Sequence, residues 1–195
     1  MSETWPSVVI LAGPNGAGKS TAAPALLHGT LAVNVFVNAD VIARGLSAFD
    51  PESAAIAAGR IMLARLRELA EQRVSFAFET TLASRTFAPW LQDLRVSGYE
   101  VHFLFLWLPS PEFALERVAD RVRAGGHDVP AATVRRRYRA GLRNFFSLYE
   151  PLATSWGLYD SSGPEPRLVA ERLDTLPPRV YDESVWAVVK RQGTA

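Results

Sequence analysis

Residues Val8 to Thr21 read VVILAGPNGAGKST, and the rest of the chain is arranged around this stretch. Val8, Val9, Ile10, Leu11 and Ala12 form an unbroken apolar run, the character of a strand buried on both faces. Gly13, Pro14, Asn15, Gly16, Ala17, Gly18, Lys19 and Ser20 then match G-x-x-x-x-G-K-[ST] at every constrained position, and Thr21 carries the chain into a helix. The spacing has a chemical reason. Backbone N–H groups can wrap a polyphosphate only where side chains leave room for it. The helix start adds unpaired N–H groups and the positive end of its dipole. In that setting Lys19 reaches the β- and γ-phosphates of a nucleoside triphosphate, and the Ser20 hydroxyl ligates Mg²⁺. Residues 13–21 are therefore expected to form a nucleotide triphosphate site.

Working outward, a helix is expected from Lys19 to His28, with Pro24 tolerated near its start. Val33 to Asn38 reads as a second strand, ending at Ala39-Asp40. Asp50 and Pro51 suit the N-cap and first position of a long helix to Arg73, whose Ala55, Ala58, Met62, Leu66 and Leu69 share one stripe. Ser75 to Phe78 is a third strand that stops at Glu79-Thr80-Thr81. A helix over Thr86–Val96, a strand over Val101–Leu108 and a helix capped by Ser110-Pro111-Glu112 follow. Past a glycine-rich, charged break at 121–130, a helix runs from Pro130 to Tyr149. Trp156–Asp160 and Arg167–Ala170 are closing strands, and Glu183–Arg191 is a terminal helix. Alternating strands and helices predict a three-layer α/β core with a parallel sheet and right-handed crossovers. Ligands gather at the carboxyl ends of such strands. There the phosphate loop, Asp40 and Glu79 meet on one rim, and the 121–130 segment is placed to fold over it as a lid.

Composition narrows the choices further. At 195 residues the chain fits one domain over 1–195, and its net charge of +1 gives no general push toward nucleic acid or membrane. It has no cysteine, which excludes disulfides and thiolate metal sites. The start, MSETWPS, lacks a basic signal region, and no apolar run approaches a membrane span. A cytoplasmic location is the expectation.

Several blocks together resemble one family. GPNGAGKST, Asn38-Ala39-Asp40, Phe78-Glu79-Thr80, Arg123 to Pro130 and Arg135-Arg136-Arg137-Tyr138 are similar to the zeta-toxin family, in particular its short bacterial branch. The resemblance implies an adenylate-kinase-like P-loop core with a helical lid. It implies transfer of the γ-phosphoryl of a nucleoside triphosphate, ATP or GTP, to a UDP-activated amino sugar such as UDP-N-acetylglucosamine. Asp40 then matches the carboxylate that takes the sugar hydroxyl proton, and Lys19 the phosphate-loop lysine. Glu79 with Thr80 matches the substrate-side acid, while Arg123 and Arg136 match arginines at the transferring phosphoryl. Arg121 and Arg137 lie close enough in sequence to exchange with them. An antitoxin protein is the partner such a family implies.

Other readings stay open at this point. Asp40 also suits capping of a helix over Val41–Arg44, and the arginines of 135–143 also suit a solvated basic face. Phe145, Phe146 and Tyr149 fit helix packing better than base stacking. His127 fits a turn hydrogen bond better than catalysis. A nucleic-acid 5′-hydroxyl kinase would share the core, although the near-neutral charge disfavours it. A mechanical ATPase would need an LSGGQ-type loop and an acid after the fourth strand; Pro109-Ser110 stands there instead. Without that acid, metal binding rests on Ser20, with Asp40 or Glu79 acting through water.

Overall fold

A computed structural model describes residues 5–29, 33–50, 52–126 and 128–194. Seven strands form one sheet in the order β2-β3-β1-β4-β5-β6-β7. They are β1 (Ser7–Ala12), β2 (Phe36–Val37), β3 (Phe76–Thr80), β4 (Glu100–Trp107), β5 (Ser155–Asp160), β6 (Arg167–Leu173) and β7 (Arg179–Val180). β1 to β5 run parallel, whereas β6 and β7 are added antiparallel at one edge. The fold is thus the expected layered α/β architecture with a mostly parallel sheet.

β1 lies inside the sheet between β3 and β4, with Leu11 opposite Glu79 and Ala12 opposite Thr80 on β3. Its side chains alternate between two cores. Val8, Ile10 and Ala12 pack with Met62, Leu66 and Leu69 of α3 (Ala55–Glu71), Leu91 and Leu94 of α4 (Phe87–Val96) and Val189 of α7 (Glu183–Thr194). Val9 and Leu11 pack with Ala23 and Leu27 of α1 (Lys19–Gly29), Ala114 and Val118 of α5 (Pro111–Arg123), and Val134 and Tyr138 of α6 (Ala131–Asn144). That double burial explains the unbroken apolar run in the sequence.

Local differences from the sequence reading have physical causes. Within Val33–Asn38 only Phe36 and Val37 pair with β3, because Asn38 leaves the strand to cap α2 (Ala39–Leu46). The long helix starts at Ala55 rather than beside Asp50, whose carboxylate instead accepts from Ser53 N at 3.2 Å in a separate turn. Pro51 and His127 lie outside the described residues. α6 stops at Asn144, and one wide π-helical turn continues over Phe145–Tyr149. That turn buries both Phe145 and Tyr149: Phe145 meets Phe103, Phe105 and Trp156 within 4.9–6.2 Å between ring centres. These rings are packing residues.

The end of α6 also grips the loop that follows β3. A Cβ at Gly141 would stand 2.2 Å from the Thr81 carbonyl oxygen, so only glycine permits this approach. Asn144 Nδ2 donates to the Leu82 and Ala83 carbonyls at 2.8 and 3.2 Å, and Tyr149 donates to the Ser84 carbonyl.

Candidate active site

The phosphate loop joins β1 to α1 and is shaped by its backbone. Gly13 has φ +138°, and a Cβ there would come within 2.2 Å of the Leu106 carbonyl oxygen on β4. Lys19 is only 6% exposed; its Nζ donates to the Gly13 and Pro14 carbonyls at 3.0 Å each and lies 3.5 Å from Glu79 Oε1. Burial pushes the Lys19 pKa down, while the carboxylates of Glu79 and Asp40 oppose that shift. From the far side Ser161 Oγ donates to the Ala17 carbonyl at 2.8 Å. Arg117 ties the same 161–163 turn down through the Ser161, Ser162 and Gly163 carbonyls.

β3 carries Glu79 to the rim beside the loop. Its Oε2 accepts from Ser20 Oγ at 2.7 Å and from Asn38 Nδ2 at 2.8 Å. Asn38 Oδ1 faces the other way and accepts from Asp40 N at 2.8 Å and Val41 N at 3.2 Å. Asn38 is therefore the N-cap of α2, and the Asp40 side chain is left exposed in the first turn. Asn38 has no role in the sequence reading. Its signal is an Asx residue between a strand end and an acid in the first turn of a helix.

Asp40 sits at a junction. A cavity of about 310 Å³ over the phosphate loop is bounded by Lys19, Ser20, Asp40, Glu79, Arg117 and Arg121. A larger one of about 510 Å³ lies alongside, between Asp40, Glu79, Thr80, Phe87, Arg136 and Arg137, with Thr81 and Ser84 on its wall. A third, about 370 Å³, opens between Asp40, Arg44, Arg121 and Arg137. Asp40 borders all three.

The arginines sort differently from the sequence expectation. Arg123 points to solvent, 74% exposed and paired with Asp120 one helical turn away, and it borders none of these cavities. Arg121, two residues earlier, borders two of them. Two residues along a helix is a rotation of about 200°, enough to move a side chain from one face to the other. Arg136 borders the larger cavity, and Arg137 joins it, half-buried and 3.5 Å from Asn15 Oδ1. Burial and the adjacent Arg136 charge push the Arg137 pKa down, with Asp40 opposing. In the described part of the 121–130 segment Gly126 N donates to the Arg121 carbonyl at 2.9 Å, and Val129 is buried beside Val134.

Among the described residues no three His, Cys, Asp or Glu side chains cluster closely enough to hold a metal by themselves. Ser20, Asp40 and Glu79 nevertheless present oxygen donors to the phosphate-loop cavity. That set suits Mg²⁺, which prefers oxygen, keeps several waters and shares its shell with phosphates.

A glycine cradle at the head of β1, with acids closing the two strands beyond it, places the protein in the class of P-loop kinase folds, the phosphotransferases that draw on ATP. The chain belongs to the zeta toxin family, whose profile matches residues 1–152. An uncharacterized protein of Haemophilus influenzae is 28% identical over 130 residues, covering 67% of this chain and 91% of that one. Among solved structures, a chain of the AvrRxo1-ORF1:AvrRxo1-ORF2 structure with sulphate ions superposes with a TM-score of 0.76 at 16% identity, over 96% of this chain. This chain spans 64% of that one. The same complex solved with ATP gives 0.74. A chain from the PezAT chromosomal toxin-antitoxin system of Streptococcus pneumoniae gives 0.66 at 15% identity, over 98% of this chain and 87% of that one. At these identities the structural likeness is one of fold. No helix among the described residues is long and apolar enough to cross a membrane.

Proposed function

We propose that the protein transfers the γ-phosphoryl group of ATP to a hydroxyl of a UDP-activated amino sugar such as UDP-N-acetylglucosamine. One observation carries this reading: Asp40 borders both the phosphate-loop cavity and the larger cavity beside it. A carboxylate at that junction can serve an acceptor on one side and a phosphoryl donor on the other.

The glycine loop and Lys19 hold the β- and γ-phosphates. Ser20, with the carboxylates of Asp40 and Glu79 nearby, would hold nucleotide-borne Mg²⁺, which neutralises phosphate charge when bound. The acceptor lies in the larger cavity, with its hydroxyls against Glu79 and Thr80 and its anionic part toward Arg136. As the sugar oxygen attacks phosphorus, its proton passes to Asp40 and the bond to ADP breaks. Charge growing on the equatorial oxygens is met by Arg121 and Arg137, with Arg121 in the place expected for Arg123. Most of the acceleration comes from positioning and charge stabilisation. An antitoxin-type protein partner and a cytoplasmic setting belong to the same reading, supported by the family and by the PezAT likeness.

The test is incubation of the purified protein with ATP, Mg²⁺ and a panel of UDP-sugars, read by mass spectrometry. A UDP-sugar heavier by one phosphoryl group is expected. ADP formed at the same rate with and without every acceptor would overturn the reading in favour of a simple ATPase.

A further inference from the structure

We infer that Asn38 is a positioning residue whose two amide ends set the two acids of the site, Glu79 and Asp40, against the phosphate loop; this rests on the phosphotransferase reading above. The argument starts from its environment. Asn38 is 5% exposed, and a side-chain amide in such a place must find partners at both ends. It does so asymmetrically. The Nδ2 end donates two hydrogen bonds, to Glu79 Oε2 at 2.8 Å and to Ser20 Oγ at 3.2 Å. Since Ser20 Oγ itself bonds Glu79 Oε2, the three groups close a ring that joins β3, α1 and the end of β2. The Oδ1 end takes the first free N–H groups of α2, including that of Asp40 itself.

One planar group thus joins the acid on the strand next to β1 to the acid on the following helix. No other polar side chain near the loop, among the described residues, bonds to Ser20, Glu79 and the Asp40 backbone together. An aspartate here would keep the cap but set against Glu79 a second carboxylate in place of the amide N–H donor, like charge against like. A serine would keep the cap but fall short of Glu79. Only an amide of this length satisfies both ends.

The test separates the two arms. With UDP-N-acetylglucosamine as acceptor, Asn38→Ser is expected to lower kcat by about 10- to 100-fold while leaving KM for ATP within about threefold, as expected for misplaced groups rather than lost nucleotide binding. A cooperatively melting Asn38→Ser protein with kcat within threefold of wild type would overturn the inference. A thermal-melting cycle needs no acceptor. Asn38→Asp should melt below wild type, and Asn38→Asp combined with Glu79→Gln, which hands the donor across the bridge, should recover much of the loss. Purely additive losses would sink the bridge. If the wild-type protein phosphorylates no UDP-sugar, the function reading falls and the melting cycle alone decides on Asn38.

Discussion

The phosphate loop and the arginine-bearing pair α5 and α6 face each other across the same cavities, yet they are built on opposite principles. In the loop, the arrangement lies in the backbone: Gly13 is packed against Leu106, and Lys19 is held by carbonyls of its own turn. In the two helices, function lies at the ends of long side chains, and helix phase decides which of them meet the cleft. Arg121 reaches it and Arg123 does not. A site can therefore be rigid on the side that holds the donor and adjustable on the side that supplies charge.

The strongest way to break this contrast is in the loop. Lys19→Ala should lower phosphoryl transfer by about 10²–10³ or more in a protein that still melts cooperatively. Turnover within tenfold of wild type would remove Lys19 from the chemistry. Asp40→Asn comes next: calorimetry should find ATP binding intact, with transfer down by about 10²-fold or more. The helices sharpen the contrast. Arg121→Ala should lower kcat by about 10²-fold or more, whereas Arg123→Ala, which removes only an exposed ion pair, should stay within about threefold. Equal effects would mean that helix phase is not what sorts them.

The smallest expected effect lies away from the site. His102, on β4, is mostly buried between Ser155 Oγ at 2.8 Å and Glu100 at 3.4 Å, and burial pushes its pKa below the ordinary value, with Glu100 opposing. Its folded-state pKa therefore lies below that of the unfolded chain. It follows that stability is held above about pH 6.5 and falls as pH drops through that value toward the folded-state pKa. His102→Gln should flatten this part of the melting-temperature profile by a few degrees at most. An unchanged acid slope would assign it to other groups.

The same contrast explains how much of the molecule is legible in its sequence. Layer order, sheet type and the acids at the ends of β2 and β3 follow from apolar runs and from the loop, because burial on two faces leaves a plain pattern in a sequence. The loop residues obey a motif in which backbone geometry dictates each glycine. That Arg121 borders the cavity and Arg123 does not is illegible in sequence, because a charged residue carries no sign of its angle when the helix ends in a glycine-rich turn. Asn38 escapes notice because its work depends on β3, about forty residues further on. The antiparallel edge of β6 and β7 and the π-turn after Asn144 are tertiary outcomes: nothing local forbids an ordinary helix as far as Tyr149.

The grip of Gly141, Asn144 and Tyr149 on the loop after β3 has a consequence for redesign. The helix that carries Arg136 and Arg137 also braces the 81–84 wall of the same cavity, so the shape and the charge of that cavity are set by one segment. If the cavity takes the acceptor as proposed above, retargeting the protein to another acceptor calls for grafting the whole segment 131–149. Piecemeal exchange of side chains would alter the charge and leave the old contour behind.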